Sequence, residues 1–241
     1  GYLNQDSKFA GIIKCKSFYK YGTGTLTLTG TSSTAGIYVK EGALKLSNIS
    51  GNCTSASITV DSGTLTGNGY TQSILAKNGA TIAPGNSDSA TGTLNTTGNI
   101  ICYGKTTLVF KASTATNDKV KAKGTLRLTG DTIRIRPING RTFADGDEIQ
   151  LFEAGTFYAG SKWIIVDDTY LWDDSQLISK GILTCKGNAT GIKGVSVNEP
   201  DNVRFFTTDG KEVNAANLPE HRTYIRRTVK GGKVETIVIN K

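Results

Sequence analysis

Seven times along this chain a Gly is followed within four residues by Leu or Ile, in a short and mostly Thr-rich run. The copies begin at Gly24, Gly42, Gly63, Gly79, Gly92, Gly104 and Gly124. A single turn-plus-strand unit cannot bury its apolar face, whereas stacked units share one continuous core. The repeat therefore points to a solenoid, and it constrains shape more than chemistry. The Gly positions are spaced irregularly, by 12 to 21 residues. That irregularity fits a parallel β-helix, whose turns vary while its strands keep stacking. An antiparallel sandwich or barrel is the rival, since it also spaces short strands between turn signals.

From about residue 11 to 188 the chain reads as short strands separated by Gly, Asn, Asp and Ser. Period-two alternation is clear at Leu26/Leu28, Leu44/Leu46, Leu126/Leu128 and Ile133/Ile135. Further strands are expected at 36–40, 57–61, 73–77, 99–102, 106–111, 119–123, 148–153 and 163–167. No segment keeps a helical period beyond two turns. Parallel stacking is expected over about residues 20–187, with Leu26, Leu44 and Leu65 in one core. Hydrophobic residues make up 37% of the 241 and charged residues 20%, which suits strands with one inward face.

The net charge is +8. Basic residues are scattered, apart from Arg222, Arg226 and Arg227, and no nucleic-acid motif accompanies them. No apolar run is long enough for a membrane span. Cys15, Cys53, Cys102 and Cys185 are far apart in sequence. Cys15 and Cys185 sit in apolar alternations, and buried core thiols are the expectation for the set. Disulfides stay open as an alternative in an exported protein, with pairing unassigned. His221 is the single His, in a different segment from every Cys, so no metal site or cofactor is expected. The opening Gly1-Tyr2-Leu3-Asn4 and the lack of Met are read as marks of an excised, mature or recombinant fragment, the C-terminal part of a longer protein.

One stretch is more specific. It runs Ile74-Leu-Ala-Lys-Asn-Gly-Ala-Thr-Ile-Ala-Pro-Gly-Asn-Ser87, then Gly92-Thr-Leu-Asn95, Asn117-Asp-Lys-Val120, Gly124-Thr-Leu-Arg-Leu128 and Asp147-Glu-Ile-Gln-Leu-Phe-Glu-Ala154. That order resembles the passenger β-helix of autotransporters and its associated strand repeat. Tyr170-Leu-Trp-Asp-Asp-Ser-Gln-Leu177 resembles the end of such repeats. The resemblance implies an all-β, right-handed parallel β-helix over residues 1–188, exported by a Gram-negative bacterium.

The last fifty residues change character. Residues 189–193 read as a linker. Val203–Phe206, Thr223–Arg226 and Lys233–Ile239 read as strands, and Asp209-Gly210 as a hairpin turn. Their order resembles the C-terminal sorting domains of type IX secretion, which implies a small β-sandwich-like module at 189–241. Such a module is also expected to cover the last rung of the solenoid.

Many parallel β-helices cleave polysaccharides, which requires carboxylates flanking one bond or a base beside cationic groups. The acidic groups Asp145/Asp147/Glu148, Asp167/Asp168 and Asp173/Asp174 all read as turns. Asn117-Asp118-Lys119 is weighed as an ion site against a polar turn, and the turn is favoured. Trp163, Tyr170 and Trp172 are the candidate glycan-stacking residues, with core capping as the favoured alternative. The function expected is a non-catalytic stalk or adhesin-type scaffold at the cell surface. Its partners would be upstream domains of the same protein and a polysaccharide or host surface. An accessory domain of a polysaccharide-degrading enzyme, or a glycan-binding module, is the rival.

Overall fold

The computed structural model describes residues 4–31, 36–48, 54–167, 169–188, 202–207, 211–214, 218, 223–230 and 233–240. The chain divides into two compact units, Gly1–Thr190 and Gly191–Lys241.

In the first unit the chain alternates between two parallel sheets. One holds β1 (Ser7–Phe9), β3 (Thr25–Leu28), β5 (Ala43–Leu46), β7 (Thr64–Gly67), β9 (Thr81–Pro84), β12 (Thr107–Ala112), β14 (Thr132–Pro137) and β17 (Ile164–Val166), paired in that order. The other holds β2 (Ser17–Lys20), β4 (Gly36–Val39), β6 (Thr54–Val60), β8 (Tyr70–Ala76), β10 (Thr93–Thr96), β11 (Ile100–Cys102), β13 (Lys119–Leu128) and β16 (Phe152–Ala159). β10 and β11 share one rung, lying between β8 and β13. This is a parallel β-helix-like solenoid.

Register explains the core. Leu26, Leu44, Leu65, Ile82, Leu108, Ile133 and Ile165 are successive partners across the first sheet. Phe18, Ile37, Ile58, Ile74, Ile100, Leu126 and Phe157 do the same across the second. Most of these side chains are fully buried, and all belong to one apolar cluster. Strand alternation forces this, because every second residue points inward. The irregular Gly spacing also finds its cause. The copies at Gly92 and Gly124 introduce Leu94 and Leu126 in the second sheet, while the other five feed the first.

Parallel stacking starts earlier than expected, at β1, and it ends differently. The expected strand 148–153 is two strands. β15 (Glu148–Gln150) pairs antiparallel with β19 (Ile182–Asn188), which also pairs antiparallel with β18 (Tyr170–Asp173). The N–H groups of Leu151 and Phe152 then donate to the Gly181 carbonyl as the chain enters β16. A four-residue helix, α1 (Leu177–Lys180), ends at Gly181 in left-handed conformation. Phe143, Tyr170 and Trp172 meet edge to face in this layer, with centroids 4.9–6.5 Å apart. Cover for the last rung is thus supplied from within the first unit.

The described part of the second unit is one antiparallel sheet. Its order is β21 (Glu212–Val213), β20 (Asn202–Thr207), β22 (Thr223–Lys230) and β23 (Lys233–Asn240). The linker 189–193, the Asp209-Gly210 turn, Arg222 and His221 lie outside the described residues. No helix among the described residues is long and apolar enough to cross a membrane.

Candidate functional site

The sequence-predicted aromatics occupy the closing layer. Trp163 and Tyr170 are 9% and 7% exposed, and Trp172 is half-buried against the core. Each indole N–H donates to a carboxylate: Trp163 to Asp174 Oδ2 at 2.9 Å, and Trp172 to Asp167 Oδ2 at 2.8 Å. Buried rings held this way serve packing. Trp163 and Tyr170 offer no free face for a sugar.

The carboxylates in the acidic groups are largely committed to local structure. Asp167 Oδ1 accepts the backbone N–H groups of Thr169 and Tyr170. Asp173 accepts the Ser175 N–H, which with the Ser175 hydroxyl and Lys186 holds its carboxyl below the usual range. Asp147 pairs with Arg141 at 2.9 Å and accepts the Ala144 N–H. Asp145 and Glu148 are exposed, and Asp168 lies outside the described residues.

Asp118 is fully buried in an ion pair with Lys111 at 2.8 Å. Its two oxygens also accept the N–H groups of Gly92 and Lys111, and Lys111 Nζ donates to the Pro84 carbonyl at 2.5 Å. Burial pushes the Asp118 carboxyl upward, against the opposing pull of the Lys111 ammonium and the two amides. The Ile-Ala-Pro-Gly turn and the Asn-Asp-Lys-Val element, distant in sequence, thus meet in one buried polar knot. Its role is structural.

Cys102 and Cys185 are buried thiols, each pushed up chiefly by burial. Cys15 corrects the expectation of a buried thiol. It lies on the surface in the irregular segment before β2, where no strand alternation turns it inward. Cys53 lies outside the described residues.

Exposed aromatics occur elsewhere. Tyr19 and Tyr38 face outward on neighbouring strands and stack at 4.9 Å, nearly parallel, with Tyr21 6.4 Å from Tyr19. Stacking covers one face of Tyr19 and one of Tyr38 with each other, and Tyr19 stays 49% exposed.

A polar groove lies on the outer face of the second sheet and encloses about 680 Å³. Register builds its floor: Tyr70 pairs with Asn95, Asn95 with Lys121, and Lys121 with Glu153, while Thr93 pairs with Lys119 alongside. Three strand steps of about 4.8 Å give this column a reach of about 14 Å. Tyr70 is fixed through its backbone: its N–H donates to Asn48 Oδ1, and its carbonyl accepts Asn48 Nδ2, both at 2.9 Å. One wall is the turn at residues 113–116, tied across to Thr91 by a Thr91–Thr116 hydroxyl contact of 2.6 Å. Glu153 bridges the cations, 2.6 Å from Lys121 Nζ and 3.4 Å from Lys119 Nζ. The Lys121 ammonium, with Lys119 beside it, holds the Glu153 carboxyl below its usual value. Sequence reasoning missed this groove because its floor is assembled by strand register from residues more than eighty positions apart.

No protein-family model matches the chain, and no curated protein matches it significantly.

Proposed function

We propose that this chain is a non-catalytic scaffold of stalk or adhesin type, displayed at the surface of a Gram-negative bacterium. In this reading the solenoid is a right-handed β-helix, and the second unit is a small sandwich-like sorting module. The observation that carries it is the pair of inward ladders, which run unbroken from β3 to β17 in one sheet and from β2 to β16 in the other. Such stacking gives length and stiffness from little core per residue. The commitment of Asp147, Asp167, Asp173 and Asp174 to turns and indoles supports the non-catalytic part.

Two measurements test it. An antibody raised against residues 7–188 should label intact cells of the producing organism, and labelling only after permeabilisation overturns display. A polysaccharide screen should show no turnover. Turnover abolished by Asp147→Asn or Asp173→Asn would instead establish the rival polysaccharide-degrading reading.

A further inference from the structure

The groove across β8, β10, β13 and β16 joins three features that a surface ladder of ordinary residues does not combine. Its volume of about 680 Å³ falls in the range of small-ligand sites. Its floor carries an aromatic ring at one end and two ammonium groups at the other, with amide and hydroxyl groups between. Those two ammonium groups face a single carboxylate, so the floor has one uncompensated positive charge.

We propose that this groove binds a carboxylated oligosaccharide, a short glycan bearing uronate groups. The Tyr70 ring suits the apolar C–H face of a sugar. Asn95, with Thr93 beside it, offers both donors and acceptors to vicinal hydroxyls. Lys119 and Lys121 take the sugar carboxylate. Glu153 already occupies that position: it shows that the lysine pair holds a carboxylate at 2.6 and 3.4 Å, and it is the group that a ligand displaces. The pair is half-exposed, so exchanging Glu153 for a ligand carboxylate costs little. A nucleic-acid strand is a poorer fit, since it calls for several aromatic platforms and a longer cationic track. The inference rests on the groove alone and holds whether or not the chain is a stalk.

The experiment is calorimetric titration of the full chain with trigalacturonate. Parallel titrations use the same trisaccharide with its carboxyls reduced to alcohols, and a triglutamate peptide. Trigalacturonate should bind, with affinity falling as salt rises, and the other two should bind at least about tenfold more weakly. Lys121→Gln and Tyr70→Ala should each weaken binding about tenfold. Glu153→Gln should tighten it several-fold, because the competing carboxylate is gone. That gain cannot come from misfolding, and circular dichroism melts check the two weakening variants. Absence of trigalacturonate binding at millimolar concentration overturns the proposal. So does equal binding of triglutamate, which would mean that the site reads charge without sugar. Weakened or unchanged binding by Glu153→Gln also overturns it.

Discussion

Gly85 has φ +96°, and a Cβ there would lie 2.6 Å from the Ala90 carbonyl oxygen, 2.8 Å from Lys111 Nζ and 3.0 Å from Asp118 Oδ1. Backbone conformation and space both exclude a side chain, so Gly85→Ala should cost at least about 2 kcal/mol in chemical denaturation. The knot beside it makes a second prediction. Lys111→Met leaves the Asp118 charge buried and should cost about 3–5 kcal/mol. Adding Asp118→Asn should recover part of that loss, and a double-mutant cycle measures the coupling; strict additivity would mean the pair is not coupled. Asp61 is the surface counterpart. It is pushed up by burial, but the bonds from Lys40 and Lys77, at 2.7 and 2.6 Å, outweigh this and leave its carboxyl below the usual value. A lowered carboxyl stabilises the fold above its unfolded value, near 3.9, and loses that contribution as pH falls through the folded value. The melting-temperature gap between wild type and Asp61→Asn should therefore be present at neutral pH and close as pH falls below the usual carboxylate range, through the lowered folded value. Since both lysines are partly exposed, the gap should correspond to under about 1 kcal/mol.

Individual strands are held by ladders and by the closing layer. Leu65 is fully buried between Leu44 and Ile82 in successive rungs, and Leu65→Ala should cost about 2–5 kcal/mol. Phe143 is 6% exposed, meets Tyr170 and Trp172 edge-on and carries the Arg141 guanidinium over its ring at 4.6 Å. Phe143→Ala should cost about 3–5 kcal/mol by the same measurement. The inward ladders were legible beforehand because Leu and Ile alternate with Thr and Lys, a pattern with one reading on a pleated strand. β1 and β2 were not. Ser7–Phe9 shows no alternation bounded by turns, and β2 places the polar Lys20 in an inward column ahead of Val39 and Val60. Lys20 tolerates that place because its ammonium donates to the carbonyls of Tyr21, Gly22 and Glu41, a compensation invisible in the sequence. The split of 148–153 into β15 and β16 leaves one mark in the sequence, the adjacent apolar pair Leu151-Phe152, which breaks the alternation and is buried at both positions. The partner that fixes the change of sheet there, the distant Gly181 carbonyl, is not visible in the sequence. The stacking role proposed for Trp163 and Tyr170 depended on exposure, which sequence does not give.

At the scale of the whole first unit, the two ends are unlike. β1 pairs only with β3 among the described residues, and all three of its side chains are exposed, Phe9 at 43%. At the other end α1, β18 and β19 pack beside the last rung, with Leu177, Leu183 and Tyr170 in the core. In a stacked array, each rung draws its stability from its neighbours, and a rung with one neighbour opens first. Amide hydrogen exchange should therefore be fastest in β1 and β2 and slowest in β7 and β9. β15 and β19 should be protected nearly as well as the middle. Equal protection at both ends would refute this asymmetry. The solenoid in this sense has a direction, like a filament with one growing tip and one blocked tip. Further coils stacked against β1 would continue the existing columns without rearrangement. Coils added beyond β16 would first have to displace the reversed strands and their aromatic rings.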